Sequence, residues 1–422
     1  MKKILIIIIT FTMLAVAQEN SLKFGGYLET KLSCMIADDE ITSSNTLFRL
    51  ETSYDIGDKG KMEAHLLYNY DLQPVDPFSS FKENSIYSKI MGENLYFDID
   101  PNSLSSTERV IYDYLVQLFE DNTSTYLPYS SYYPKETMII DRALVKLYFG
   151  NSDFIIGKQQ IAWGTGYAYN PTDIWNIKDP MNATAGKIGV LALNLETYFG
   201  ENSSLNLIAS PGSNFDHWRY GFRVKSNTGR FDYSVLAIRD KTDDGEIMGF
   251  PEKILLGADF AGEIISEIGW WGEVAVINPR YDGMEYSDTD SIYIQTASGF
   301  DYTFDNGVYC MAEYYYNALG DNDYKDYDIS SIGLSTAGAM SGFAQNYLAT
   351  VISYSFRDKY TASLFNITNL DDISSVLIPE LSYDFHENIQ IKLNSNIFMG
   401  SRERTEYGGM YSSVMFSVIG YF

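Results

Sequence analysis

Several apolar segments of the chain carry a charged side chain at every second position. In segment 217–227, Arg219, Arg223 and Lys225 alternate with aromatic and aliphatic residues. A period of two is typical of a β-strand with one polar face. Charges on such a face attract or repel ions in the adjacent water. The residues assigned to this polar face are Arg49, Glu51, Glu63, Arg142, Lys146, Lys158, Arg219, Arg223, Lys225, Asp259, Glu273 and Glu313.

A second group of polar and aromatic side chains lies in segment 157–176. Its members are amides, one carboxylate and two indoles: Gln159, Gln160, Trp163, Asn170, Asp173 and Trp175. Gly164 and Gly166 permit a sharp reversal after a strand. Two roles are open for this segment. It is a structural loop folded onto a wall, with Asp173 capping a helical turn, or Lys158, Gln160 and the two indole rings contact a substrate.

The elements that position these residues are predicted to be eighteen strands, most of them about 9–12 residues long, as a tilted membrane strand requires. The predicted ranges are 21–33, 46–55, 61–71, 139–149, 153–163, 188–200, 203–210, 217–227, 230–239, 253–263, 267–277, 291–304, 307–317, 346–356, 359–367, 374–385, 388–398 and 410–422. A count between 16 and 20 is compatible with the pattern.

The predicted connections alternate between short and long. Hairpin turn sequences occupy 57–60, 150–153, 200–203, 226–229, 305–307, 357–358 and 386–388. Long connections occupy 72–138, 164–187, 240–252, 278–290, 318–345 and 399–409. Short periplasmic turns and long extracellular loops characterise an outer-membrane β-barrel. The fold class expected is therefore all-β, a transmembrane antiparallel up-and-down barrel spanning 18–422.

Aromatic residues support the same orientation. They close the strands that lead into the short turns: Tyr148, Phe149, Tyr198, Phe199, Tyr302, Phe304, Tyr354, Phe356, Tyr383, Phe385, Tyr421 and Phe422. Aromatic side chains favour the membrane–water interface, so this set is interpreted as a periplasmic girdle. Segment 410–422 alternates apolar residues up to Phe422, which is typical of a terminal strand that barrel-assembly machinery recognises. Residues 1–17 have the charge, apolar core and small-residue site of a secretion signal.

Segment 157–176 also resembles a pattern found in porin-like barrels. It is similar to alginate-export-type and related uncharacterised porin families, and the residues that carry the likeness are Gly157, Lys158, Gln159, Trp163, Gly164, Asn170, Pro171, Asp173 and Asn176. The resemblance covers about 20 residues. It implies a barrel that passes or binds small anions, sugars or polysaccharides.

The polar face of such a barrel would line its lumen. The basic members are concentrated early in the chain and the acidic members later. In a closed barrel they would lie on different walls, and the field between them would select permeants. The alternative is that they pair with one another and fill the interior. Connection 72–138, with a predicted helix at about 105–121, is expected to fold inward and narrow the pore or to contact another protomer.

No enzyme motif is found. A barrel phospholipase requires Ser two residues after its His, but Leu67, Arg219 and Asn388 follow the three histidines at that spacing. A barrel protease requires Asp two residues before its His, and Phe215 stands there before His217. Neither a phosphate loop nor a metal-binding motif occurs. We therefore expect no catalytic activity, no metal and no cofactor.

Two function classes follow from these patterns. The first is an outer-membrane porin or channel for small hydrophilic solutes in a Gram-negative-type bacterium. The second is a surface-polysaccharide-binding or capsule-organising barrel without an open pore. Expected partners are outer-membrane lipid and lipopolysaccharide, a small polar solute or saccharide, and a homotrimer as one possible assembly. A net charge of −26 argues against nucleic acid as a partner.

Overall fold

The computed structural model describes residues 22–35, 41–71, 136–176, 179–182, 187, 189–212, 215–241, 252–265, 267–280, 292–327 and 341–422. These residues form one 18-stranded antiparallel sheet that closes on itself. The predicted fold class and the predicted number of strands are both confirmed. The predicted signal 1–17 and the predicted helix at 105–121 lie outside the described residues.

The strands follow the chain in order around the barrel. They are β1 (Leu22–Met35), β2 (Ile41–Asp55), β3 (Gly60–Asp71), β4 (Glu136–Phe149), β5 (Ser152–Gln159), β6 (Val190–Phe199), β7 (Ser203–Ser210), β8 (Arg219–Thr228), β9 (Phe231–Asp240), β10 (Glu252–Ile265), β11 (Ile268–Arg280), β12 (Tyr293–Thr303), β13 (Val308–Asn317), β14 (Asn346–Phe356), β15 (Tyr360–Asn369), β16 (Ser374–His386), β17 (Ile389–Met399) and β18 (Ser413–Tyr421).

Pairing between β1 and β18 closes the barrel. The register runs from Tyr27 opposite Tyr421 to Met35 opposite Ser413. Beyond the strand end, Gly26 and Phe422 exchange two backbone hydrogen bonds, each 3.1 Å long. Closure leaves no unpaired edge, so the backbone groups of every strand have partners within the sheet.

Side chains alternate across the wall as the period of two predicts. On β18, Val414, Phe416 and Val418 are exposed on the outer surface, whereas Ser417 and Ile419 are buried inside. Apolar residues on the outside and polar residues inside are the pattern of barrels whose outer wall faces lipid. Among the described residues, no helix is long and apolar enough to cross a membrane.

The connections differ at the two ends of the barrel, as predicted. Turns such as 150–151, 200–202 and 387–388 join strands at one end, and the longer connections lie at the other. The aromatic residues beside the short turns are largely exposed on the outer surface, with Phe149, Phe199 and Phe422 at 61%, 57% and 57%. These outward rings fit the girdle that the sequence predicts at this end, whereas Tyr148, Tyr198 and Tyr421 of the predicted set alternate with them and lie on the inner face of their strands.

Several predicted strand boundaries were wrong by three or more residues. Strand β2 begins at Ile41 rather than at residue 46. Strand β4 begins at Glu136, inside the range assigned to connection 72–138. Strand β5 ends at Gln159 rather than at residue 163. Beyond Gln159 the chain stays extended but turns into the barrel, and Ile161 and Trp163 are buried while Gln160 and Ala162 are exposed. The alternation of buried and exposed side chains in 160–163 arises because this segment packs on the barrel wall. It does not indicate pairing with another strand.

Candidate functional site

The connection between β5 and β6 begins inside the barrel. We call residues 160–176 the inner loop. Its first and last parts pack against the inner face of β6–β12 through Ile161, Trp163 and Trp175. Its middle packs against the inner face of β12–β16 through Ala168 and Tyr169. The inner loop therefore runs along much of the inner wall and reduces the free space in the lumen.

Glu273 of β11 anchors the first reversal of the inner loop. Its carboxylate accepts hydrogen bonds from the backbone N–H groups of Gly166 (2.8 Å) and Thr172 (3.2 Å). The Thr172 hydroxyl donates a third bond of 2.6 Å. The side chain is only 5% exposed. Hydrogen bonds to an ionised carboxylate are stronger than neutral ones, so this residue fixes where the loop turns.

Glu313 of β13 anchors the middle of the inner loop. Oε1 accepts from the backbone N–H groups of Ala168 (2.8 Å) and Tyr169 (3.0 Å). Oε2 accepts from the Tyr167 N–H (2.5 Å) and from Nε1 of Trp271 (2.7 Å). The glutamate is fully buried. With four donors, the buried charge is satisfied and does not require a cation.

Glycine is required where the inner loop approaches Glu273. Gly164 has a φ of +81°, a conformation that other residues rarely adopt. A Cβ on Gly166 would lie 1.8 Å from the Tyr169 carbonyl oxygen and 2.7 Å from the Glu273 carboxylate. These two glycines therefore allow the backbone to present its N–H groups to the carboxylate.

The two tryptophans of the inner loop pack together against β8. Their rings meet edge to face, with 5.7 Å between centroids. A Cβ on Gly221 would lie 2.7 Å from each ring. The guanidinium of Arg219 lies over Trp175 and that of Arg223 over Trp163, at 5.3 and 5.9 Å. Both tryptophans are at most 5% exposed, so little ring surface is available to a substrate. Direct substrate contact through these rings stays an untested prediction.

The remaining motif residues hold the ends of the loop. Gln159 is buried and donates to the Ala192 carbonyl at 3.0 Å. Asp173 accepts from the Asn176 N–H at 3.3 Å, the capping arrangement that the sequence favours, and pairs with Lys187. Burial raises the pKa of Asp173 above its usual value, although Lys187 opposes the shift. The exposed Gln160 accepts a hydrogen bond from Arg142, and Asn170 lies in the turn before Asp173.

Most of the predicted lumen charges are paired locally. Six of the cations contact a carboxylate on the same strand or on one of the next two strands: Arg49–Glu51 at 2.5 Å, Lys61–Glu63 at 2.7 Å, Lys146–Asp153 at 2.7 Å, Arg219–Asp240 at 2.9 Å, Arg223–Asp259 at 3.2 Å and Lys225–Asp232 at 3.4 Å. Arg49 also contacts Asp141 at 2.7 Å. The sequence left two interpretations of the lumen charges open, and these local ion pairs favour mutual pairing over separate basic and acidic walls.

Lys158 differs from the other residues assigned to the polar face. In the sheet it stands opposite Ala143 and Leu191. Leu191 is 56% exposed on the outer surface, and Ile156, two residues before Lys158, is 44% exposed. Residues two apart on a strand share a face. Lys158 therefore lies on the outward face of β5, because the inward positions there are Gly157 and Gln159.

A buried glutamate in the connection before β18 was not found from the sequence. Glu406 accepts hydrogen bonds from the Tyr347 hydroxyl (2.7 Å) and the Asn369 amide (2.8 Å). Its own N–H donates to Asp372 at 2.7 Å. Burial raises the pKa of Glu406 to about 7. The residue sits in a polar segment, Arg402–Glu406, that has no pattern to mark it as buried.

The opposite inner wall, formed by β17, β18, β1 and β2, is polar. In register, Lys392, Ser417, Lys31 and Asn45 follow one another across these four strands. Their outward neighbours Leu393 and Leu32 are 48% and 39% exposed, so the polar residues face the lumen. Lys31 and Lys392 are half-buried. This wall supplies the hydrophilic surface that faces the inner loop.

Comparison with known proteins gives the class of this fold. No protein-family model and no curated protein sequence matches the chain. Among solved structures, Acinetobacter baumannii OccAB4 matches with 10% identity and a TM-score of 0.51, covering 96% of this chain and 99% of that one. Pseudomonas aeruginosa OccK11 (OpdR) matches with 9% identity and a TM-score of 0.52, covering 95% of each chain.

A structure of OccD1 (OprD) matches to the same degree, with 9% identity, a TM-score of 0.52 and 96% of each chain covered. At these identities the likeness concerns the fold alone. The chain has the closed, 18-stranded antiparallel fold of porin-type barrels.

Proposed function

We propose that the protein is an outer-membrane channel for passive or substrate-selective movement of small hydrophilic solutes. One observation supports this most strongly. A closed barrel with an apolar outer surface contains a loop held by two buried carboxylates, Glu273 and Glu313, facing a polar inner wall. Large barrels leave an aqueous channel, and an anchored loop sets its width.

The inner loop is proposed to act as the constriction. Several of its backbone N–H groups donate hydrogen bonds to Glu273 and Glu313, which hold the loop on one side of the lumen. Solutes would pass between this loop and the polar wall of Lys31, Ser417 and Lys392. A fixed constriction favours selection by size, because a rigid loop cannot move aside for larger solutes.

Local ion pairs shape the proposed selectivity. Arg49, Arg219 and Arg223, which are proposed to line the pore, each stand beside a carboxylate. Paired charges produce weaker long-range fields than separated ones. We therefore propose a polar pore suited to small solutes or saccharides, and no enzymatic role.

Membrane placement follows the same proposal. The exposed apolar bands on the outer surface would face lipid and lipopolysaccharide, with the short turns in the periplasm. Residues 1–17 would direct secretion, and the strand ending at Phe422 would engage barrel-assembly machinery. A homotrimer would be one assembly of this barrel.

A second candidate function is supported by the filled half of the lumen. Tyr169, Tyr315 and Tyr347 form one buried cluster with Phe343 and Tyr407 from the loops. If the remaining space were also closed, the barrel would bind surface polysaccharide without conducting solutes. Tyr314–Tyr316 belong to β13, so this run of tyrosines supplies no outer-loop surface for a polysaccharide.

Liposome swelling tests the channel against this alternative. Proteoliposomes would be diluted into isosmotic solutions of sugars of increasing size. The channel predicts swelling that falls steeply with solute size. Empty liposomes provide the baseline, and folded protein that gives no swelling with the smallest sugar would refute the channel.

A further inference from the structure

Two tyrosine rings lie exposed inside the lumen, near the short turns. Tyr148 of β4 and Tyr198 of β6 are 40% and 38% exposed. The residues that follow them, Phe149 and Phe199, point outward, so the tyrosines face inward, because successive side chains of a strand alternate between its two faces. The indole rings of the inner loop are buried, whereas these two rings are accessible to a solute.

Two carboxylates lie between these rings. Strand β5 runs between β4 and β6, and its Asp153 is opposite Tyr148 on one side and Glu196 on the other. The Tyr198 hydroxyl donates a hydrogen bond of 3.2 Å to Asp153. The Lys146 ammonium contacts Asp153 at 2.7 Å and lies 5.4 Å from the centroid of the Tyr148 ring. These contacts hold the two rings on either side of Asp153 and Glu196.

Amide side chains extend this surface toward the inner loop. Asn206 of β7 is opposite Glu196, and its amide donates to Asn194 at 2.6 Å. The Asn194 amide donates in turn to Gln159 at 3.0 Å, where β5 ends and the inner loop begins. A solute that passes the inner loop on this side would meet this wall next.

The chemistry of this surface matches a sugar ring. A pyranose has an apolar C–H face, which packs on an aromatic ring, and a rim of hydroxyl groups. Carboxylates accept hydrogen bonds from hydroxyls, and amides both donate and accept them. Lys146 balances the charge of Asp153, and Glu196 adds a negative charge, so an anionic solute is repelled. The ligand that fits is a neutral saccharide.

We propose that Tyr148, Asp153, Glu196, Tyr198 and Asn206, here called the tyrosine surface, bind a neutral saccharide at the periplasmic end of the lumen. The proposal deepens the proposed function and rests on it, because it names the solute class and a second place of contact. The rings belong to strands that are two apart, which is about 10 Å at the usual strand spacing. A saccharide of two or three units can therefore lie over both.

Saturation-transfer NMR of the purified protein tests this proposal. The detergent is lauryldimethylamine oxide, which has no sugar head group to compete. The probes are the neutral trisaccharides maltotriose, cellotriose and raffinose, with trigalacturonic acid as the anionic comparison. At least one neutral trisaccharide should bind the wild type, and trigalacturonic acid should bind about tenfold more weakly. No transfer to any neutral trisaccharide would overturn the proposal.

Ring variants separate stacking from the hydroxyl contacts. Tyr148→Leu and Tyr198→Leu should each raise the Kd of the bound trisaccharide about tenfold, because leucine offers no flat face. Tyr148→Phe and Tyr198→Phe retain the ring and should stay within about threefold of the wild type. The Kd is measured by titration in the same spectra.

Tyr309→Leu is the matched control. Tyr309 also faces inward beside a short turn and donates to Asp301 at 3.1 Å, but its ring packs on the cluster of Trp271, Met311 and Val351. Its replacement should leave the Kd unchanged. The proposal is overturned if all three leucine variants bind like the wild type, or if all three lose binding equally.

A cationic solute is the competing occupant, because Glu196 is acidic. Spermidine that binds the wild type and is lost in Glu196→Gln, with no trisaccharide bound, would overturn the proposal. Glu196→Gln keeps an acceptor oxygen and should weaken the trisaccharide only about threefold. Liposome swelling with the smallest sugar is measured separately. Binding without swelling would refute the channel alone, whereas swelling with no bound trisaccharide would refute the saccharide site alone.

Discussion

At the scale of single residues, Glu313 and Glu273 have a role opposite to the one expected for lumen carboxylates. Both were predicted to face water and act on permeants. In the structure each is nearly inaccessible and binds backbone N–H groups of a segment more than one hundred residues earlier. Their charges stabilise the inner loop, so their replacement should alter loop position before it alters ion preference.

Glu313→Gln should loosen the inner loop. A glutamine offers one acceptor oxygen and places an N–H₂ group against donors that now bind Oε2, Tyr167 N–H and Trp271 Nε1. Each lost bond to a charged group costs about 1.5–3 kcal/mol. Limited chymotrypsin digestion should therefore cut within the loop faster than in the wild type. Glu63→Gln is the matched control, because Glu63 is partly exposed and forms an ion pair with Lys61 rather than with the inner loop. Equal cleavage of all three proteins would contradict the anchoring role.

Gly221→Leu should separate the inner loop from β8. The new side chain would occupy the space of both indole rings, since even a Cβ would lie 2.7 Å from each. Overpacking typically costs about 1–3 kcal/mol. The variant should show a red-shifted tryptophan emission as Trp163 and Trp175 gain contact with water. Gly420→Leu on β18, where a Cβ meets nothing within 4 Å, should leave the emission unchanged.

At the scale of elements, strand pairing was largely predictable and the inner loop was not. All eighteen strands were found because period-two alternation and turn residues are local signals. The end of β5 was placed too late because Ile161 and Trp163 continue the alternation while packing on the wall. The hydrogen bonds of Glu273 and Glu313 to the inner loop join residues far apart in the chain. No local sequence pattern indicates that a carboxylate binds backbone N–H groups.

The connection 400–412 should be sensitive to pH. Burial and the neighbouring Asp372 raise the pKa of Glu406 to about 7, from 4.5, and burial raises that of Asp372 as well. A raised carboxyl pKa contributes stability that is complete below about pH 4.5 and is lost as pH rises through 7. The difference is on the order of 3 kcal/mol.

Amide hydrogen exchange at a series of pH values, corrected for intrinsic rates, measures this effect. Protection of 400–412 should fall between about pH 5 and 7 in the wild type and change little above that interval. Glu406→Gln keeps a neutral side chain and should remove most of the dependence. Protection that rises over this interval in the wild type would show that the ionised form is preferred, contrary to the prediction.

At the scale of the whole molecule, the barrel is closed by contacts at the end of the chain. Phe422 exchanges two backbone hydrogen bonds with Gly26, and its ring stacks on Phe48 at 5.9 Å. Closure therefore depends on three strands, β18, β1 and β2, meeting at the girdle. The same strands carry the polar wall that faces the inner loop, so closure and the shape of the pore are linked.

Removing Phe422 should reduce the yield of folded barrel. The truncated chain loses both bonds to Gly26 and the stacking on Phe48, so the end of β1 has no partner on its β18 side and pairs only with β2. Heat-modifiable mobility in detergent gels reports the folded fraction after refolding. Phe422→Tyr preserves the ring and the backbone and should fold like the wild type. An undiminished folded fraction in the truncated protein would argue against this role in closure.

The central claim is that an anchored inner loop narrows an open channel, and single-channel conductance in a planar bilayer tests it most directly. The wild type should give stable, uniform steps, because its inner loop is held in one position. The double variant Glu273→Gln, Glu313→Gln should give larger and noisier steps, because its loop is released. A folded wild-type barrel that conducts no current would contradict the account, and so would a double variant with unchanged steps.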